Sequence, residues 1–90
     1  MSKKRFTVDL AGYLKHLSEQ EQDKLPNERR PVPTLSHLAE VAGISRQAMS
    51  DFANGKTQLA NLTVLYQVII ELRRWGFTDT DLHHILVPEK

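Results

Sequence analysis

The stretch that decides the fold is "LAEVAGISRQAMSDFANGKT", residues 38–57. Leu38, Ala39 and Ala42 carry one helical rhythm, Ala48, Met49, Phe52 and Ala53 carry a second, and Gly43 stands between them. Gly43 closes the first helix because the left-handed conformation past a helix end costs glycine little. Ser45 then caps the second. Two helices joined by so short a glycine turn must cross closely, and Ala39 is small where they would meet. Ile44, Met49 and Phe52 fill the wedge between them. With those side chains inside, Arg46, Gln47, Ser50, Asp51 and Asn54 are left to face outward, and Asn54-Gly55 stops the second helix.

Outward from this unit the chain continues to read as helices. Thr34 is a sound N-cap for a helix whose Leu35, Leu38, Ala39 and Ala42 fall at i, i+3, i+4 and i+7. Before it, "LPNERRPVP" has three prolines in eight positions, which excludes a helix and leaves a loop. Its adjacent Arg29 and Arg30 read as solvated. Leu10, Ala11, Leu14 and Leu17 predict a first helix from about Asp9 to Lys24 with Thr7 as N-cap. The alternation of Phe6, Val8 and Leu10 leaves a short strand as the competing reading. Downstream, Asn61 caps a fourth helix with Leu62, Leu65, Tyr66, Ile69 and Leu72 on one side, ended by Gly76. Thr78 and Asp81 in "TDTDLHHIL" suit a variant capping box for a short fifth helix. The expected fold is all-α, a compact five-helix domain over residues 9–90 behind a basic arm of residues 1–8.

Composition limits what such a domain does. Ninety residues suffice for one core, and 40% apolar with 26% charged residues is ordinary for a globular chain. There is no cysteine, so neither a disulfide framework nor a thiolate metal site is available. No run approaches the roughly 18 apolar residues of a membrane span, and the N-terminus lacks the apolar stretch of a secretory signal. No membrane association and a cytoplasmic location are therefore expected. Net charge is only +1, yet Lys3, Lys4 and Arg5 gather at the N-terminal tip. A local basic arm can bind phosphate on a nearly neutral molecule, though a solvated tail reads the same way.

Residues 34–76, through "LAEVAGIS", "RQAMSDF", "NGKT" and "NLTVLYQVIIEL", resemble the helix-turn-helix of the Cro/C1-type family, the phage repressors and their bacterial relatives. The resemblance implies a lambda repressor-like domain with the helix-turn-helix core at 35–53. "MSKKR" is similar to the basic arm of some phage repressors. An ordinary corner between two helices shares the alanine and glycine positions. It has no reason to add a polar row at the start of the second helix and then "NGKT".

The exposed row suits a helix entering the major groove end-first. Arg46 can donate twice to guanine, and Gln47 can both donate to and accept from adenine. Ser50, one turn on, reaches a base or a phosphate. The resemblance places base contacts at Arg46, Gln47 and Asp51. Asp51 departs from a neutral or basic residue: it accepts from a cytosine amine, pairs with Arg46, or is simply an exposed charge. Thr34 and Ser36 open a helix whose N-terminal amides can hold a phosphate. Lys56, Thr57 and Asn61 stand where the resemblance implies backbone contacts, and Lys3, Lys4 and Arg5 could enter a groove.

Domains of this size usually bind as dimers on half-sites about 34 Å apart. Trp75, Phe77, Leu82, Ile85 and Leu86, with Val87, offer more apolar surface than one short helix needs, so they form a dimer interface or pack internally. "RFTVDL" could instead pair as a strand with a partner. His83 and His84 point about 100° apart on a helix, which suits chelation poorly, and no metal or cofactor is expected. No nucleophile–base pair or phosphate-cradling loop is visible, so an enzyme is not expected. The leading expectation is a sequence-specific DNA-binding transcriptional regulator, a repressor acting as a homodimer on a palindromic operator. An antitoxin-like or adaptor protein that binds a protein partner is the alternative, and a nucleoid architectural protein is a third.

Overall fold

The computed structural model describes residues 6–56 and 62–88. Within them the order is β1 (Phe6–Val8), α1 (Leu10–Gln22), a 3-10 turn (Pro26–Glu28), α2 (Leu35–Ala42), α3 (Arg46–Ala53), α4 (Leu62–Arg74), α5 (Leu82–Ile85) and β2 (Leu86–Pro88). The protein is mostly helical, but β1 and β2 pair antiparallel, with Phe6 opposite Pro88 and Val8 opposite Leu86. The all-α expectation is corrected to this extent: the alternation of Phe6 and Val8 is a strand. Because Thr7 lies in that strand, the cap of α1 falls to Asp9, which accepts from the Gly12 amide at 3.1 Å.

The ribbon joins residues 6–8 to residues 86–88, and its outer edge is poorly suited to recruiting a further strand. The Leu86 amide is taken by the Leu82 carbonyl, and Pro88 has no amide to offer. "RFTVDL" thus pairs within its own molecule.

One core runs through all five helices. Leu10, Tyr13, Leu14 and Leu17 of α1 meet Leu38 and Ala39 of α2, Met49, Phe52 and Ala53 of α3, and Val64, Leu65, Val68 and Leu72 of α4. Val8, Phe77 and Ile85 complete it. On α4, Leu65 and Leu72 are buried as expected and Ile69 packs against the core, but the rest of the face is turned. Leu62 and Tyr66 are 74% and 63% exposed, while Glu71 is buried. Glu71 can turn inward because His37 Nε2 of α2 and Trp75 Nε1 both donate to its Oε2, the latter at 3.1 Å. The rings of His37 and Trp75 lie 5.0 Å apart beside it.

A second buried carboxylate organises the proline-rich loop. Glu21, on the last turn of α1, accepts from Lys24 Nζ at 2.7 Å, from the Arg30 amide at 2.6 Å and from Arg30 Nη2 at 3.1 Å. Arg30 also donates to the Gly76 carbonyl and lies 4.4 Å from the centre of the Phe77 ring. Arg29 donates to the carbonyls of Gln22 and Lys24, satisfying the frayed end of α1. The reading of both arginines as solvated is corrected: although exposed, each tethers the loop. Two further contacts pin the approach to α5. Tyr13 and Thr80 share a buried hydroxyl contact at 2.8 Å. Asp81 caps α5, its amide donating to His84 Nδ1 at 3.0 Å. The capping box is therefore Asp81 with His84, and Thr78 takes no part in it.

The hydrogen bonds from Arg30, then Lys24, hold the Glu21 carboxyl at about 2, below its ordinary 4.5. The His37 hydrogen bond, outweighing the cost of burial, holds Glu71 below its ordinary value too. A carboxylate with a lowered folded-state pKa stabilises the fold above the unfolded value and loses that contribution as pH falls through the folded one. The urea midpoint is accordingly expected to drop steeply between pH 4.5 and 2. The Glu21→Gln, Glu71→Gln double variant should be less stable at pH 7 and show a flatter decline across that window. An unchanged slope in the variant would show that other groups govern acid unfolding.

Candidate nucleic-acid interface

Helices α2 and α3 form a unit in which each turn has a local cause. Thr34 caps α2 by accepting from the His37 amide at 3.1 Å. At the other end Gly43 is left-handed, with φ 72° and ψ 30°. Its amide bonds the Glu40 carbonyl at 3.2 Å, and the Ile44 amide reaches back to Ala39 at 3.0 Å. This is a Schellman closure, with half-buried Ile44 packing on the core behind it. Ser45 then caps α3, accepting from the Ala48 amide at 3.0 Å. The pattern repeats at the far end of α3. Gly55 is left-handed (φ 71°), its amide bonds Phe52, and the Lys56 amide bonds Asp51 at 2.9 Å. Gly55 sits directly against β1.

Burial of Met49, Phe52 and Ala53 fixes the rotation of α3 about its axis. Arg46 and Gln47 are exposed at its first turn, Ser50 and Asp51 are half-buried one turn on, and Asn54 is exposed. Arg46 has no partner among the described residues. Gln47 Nε2 donates to Asp51 Oδ1 at 3.1 Å, so Asp51 is paired with Gln47 and not with Arg46. Asn54 Nδ2 bonds the Ser50 carbonyl at 2.8 Å. Ser36 is exposed on the first turn of α2, and Lys56 is exposed just after α3. The unit thus brings Thr34, Ser36, Arg46, Gln47, Ser50, Asp51 and Lys56 onto two consecutive helices and their flanks. Lys3, Lys4, Arg5, Thr57 and Asn61 lie outside the described residues.

The expected interface residues divide. Phe77 and Ile85 are buried in the protomer's own core, 1% and 0% exposed, so neither is available to a second copy. Trp75 is half-buried and bonded to Glu71. Leu82 is exposed, and with Phe6, Asp81, His83 and Leu86 it lines a shallow groove beside the ribbon. Among the described residues no group of three or more metal-ligating side chains comes together, and no helix is long and apolar enough to cross a membrane. The spacing pattern missed the exposed pair Leu62 and Tyr66, which it had placed inside.

No protein-family model matches this chain, and no curated protein or solved structure matches it significantly.

The two left-handed glycines differ in a way that mutation can read. A Cβ on Gly43 would meet nothing within 4 Å, whereas one on Gly55 would lie 2.8 Å from the Val8 carbonyl oxygen. Gly43→Ala should therefore cost only the left-handed backbone penalty, about 1–2 kcal/mol. Gly55→Ala must also displace β1 and is expected to cost clearly more. Equal urea midpoints for the two variants would refute the close packing of Gly55 on the strand.

Proposed function

We propose that this chain is a sequence-specific double-stranded DNA-binding transcriptional regulator of the Cro/C1 helix-turn-helix class, with a lambda repressor-like domain. It acts in the cytoplasm as a repressor, bound as a homodimer to a palindromic operator. The observation that carries the reading is the polar row of α3, outward and starting at the helix N-terminus, on a helix held rigidly at both ends. Such a helix can enter a major groove end-first, with Arg46 donating to guanine and Gln47 addressing adenine. Thr34 and Ser36 at the start of α2, and Lys56 after α3, would grip phosphates on either side. Leu82 and Leu86 are the expected interface residues that keep apolar surface for the second protomer.

A second reading, an antitoxin-like or adaptor protein, is favoured by one observation. Leu62 and Tyr66 form an exposed apolar pair one turn apart on α4, a feature that DNA binding does not use.

Titration of a duplex selected by the protein, at several salt concentrations, separates the two. DNA binding should weaken linearly in log–log form with salt. Lys56→Ala should lower affinity alike for all sequences and reduce that slope by about 1, whereas Arg46→Ala should cost about 1–3 kcal/mol at one base pair. Absence of salt-sensitive duplex binding would turn the assignment to the protein-partner reading.

A further inference from the structure

Asp51 is the residue that a DNA-reading helix least explains by itself, because a carboxylate is repelled by phosphates. Among the described residues its one side-chain hydrogen bond is that from Gln47 Nε2, at 3.1 Å. A carboxylate only accepts, so Gln47 must turn its NH2 group, and not its Oε1, toward Asp51. An unrestrained carboxamide flips between two orientations that exchange donor and acceptor, since its terminal torsion is broad and two-fold. Asp51 removes that ambiguity.

The bond takes one of the two N–H groups of the Gln47 carboxamide and leaves the other to a further acceptor. A carboxamide has one N–H that points back beside its own chain and one that points forward beside its oxygen. A partner rooted one turn along the same helix, as Asp51 is, can be met by the backward N–H. The forward N–H and Oε1 then remain side by side at the exposed tip. Adenine presents a matching pair in the major groove, the N7 acceptor beside the N6 donor.

We propose that Asp51 is a specificity-determining positioning residue that locks the Gln47 carboxamide in the orientation that reads adenine. The recognised duplex then carries an A·T pair where Gln47 docks. The inference rests on the DNA-binding assignment above, and it explains the acidic residue as a support for its neighbour and not as a reader of cytosine.

The test is selection from a random duplex library, at one fixed salt concentration, with the wild-type chain, Gln47→Ala, Asp51→Ala, Asp51→Glu and the Gln47→Ala, Asp51→Ala double variant. Removing the charge at residue 51 raises affinity for every sequence, so the readout is base preference at each position and not overall binding. Gln47→Ala is expected to abolish an adenine preference of roughly tenfold at one base pair. Asp51→Ala should lower the preference at that same pair by about threefold or more, the scale of a charge-assisted contact made within a helix. Asp51→Glu, which keeps an acceptor-only group, should restore it, and the double variant should select the same motif as Gln47→Ala. A motif untouched by Asp51→Ala, or altered at a different base pair, overturns the positioning role while leaving DNA reading intact. Failure of the wild-type chain to enrich any motif overturns both.

Discussion

The arrangement of the helices depends on one buried carboxylate. Glu71 lies on the inward side of α4, where an unpaired charge would be prohibitive. It is tolerated because His37 of α2 and Trp75 at the end of α4 donate to it. That requirement fixes the rotation of α4 about its axis and the position of α2 against it. Once Glu71 faces inward, Val64, Val68 and Leu72 follow it into the core, and Leu62 and Tyr66 are carried to the surface. The pair joins the buried Glu71 to a half-buried His37 and so ties one rotation of α4 to α2, which apolar residues in their place would not do.

From α2 the constraint passes to α3. Two Schellman turns, at Gly43 and Gly55, bracket α3, and Ser45 caps its start. The second turn rests on β1, which is in turn held by β2. The β1–β2 ribbon therefore braces the far end of α3 even though neither strand belongs to the helical unit. A helix of eight residues is marginal by propensity alone. Here its ends are fixed by hydrogen bonds and its inner face by Met49, Phe52 and Ala53.

Much of this was legible in the sequence, for physical reasons that also mark where legibility stopped. The α2–α3 unit was readable because every level agreed: caps at Thr34 and Ser45, glycines at both closures, and small or apolar residues at the crossing. The face of α4 was misread because periodicity treats a glutamate as outward, and only the distant His37 makes Glu71 an inward residue. Arg30 was misread for the same reason, since its partners Glu21 and Gly76 are remote in sequence. The alternation of Phe6 and Val8 makes β1 visible as a competing reading, but its pairing with β2 is not legible, because each strand has three residues, too few to outweigh the helical spacing that begins at Leu10. At the surface of α3, the positions were readable but the Gln47–Asp51 contact was not weighed, although an i, i+4 amide–carboxylate pair is visible in sequence.

The exposed surfaces constrain how the protein associates. Backbone pairing at the ribbon's outer edge is disfavoured, because the Leu86 amide is engaged and Pro88 lacks one. Association at that edge would then proceed through side chains of the groove of Phe6, Leu82 and Leu86, and Leu62 and Tyr66 on α4 offer a separate apolar surface. A standard stable interface buries roughly 800 Å² per partner, and the exposed large apolar side chains among the described residues are only Phe6, Leu25, Leu62, Tyr66 and Leu82. A pair of protomers joined through either would be weak in isolation. A shared palindromic duplex would supply the missing affinity by holding both at high effective concentration. Under the proposed DNA-binding reading, weak self-association and DNA-assisted pairing would both follow from how few large apolar side chains the described residues leave exposed.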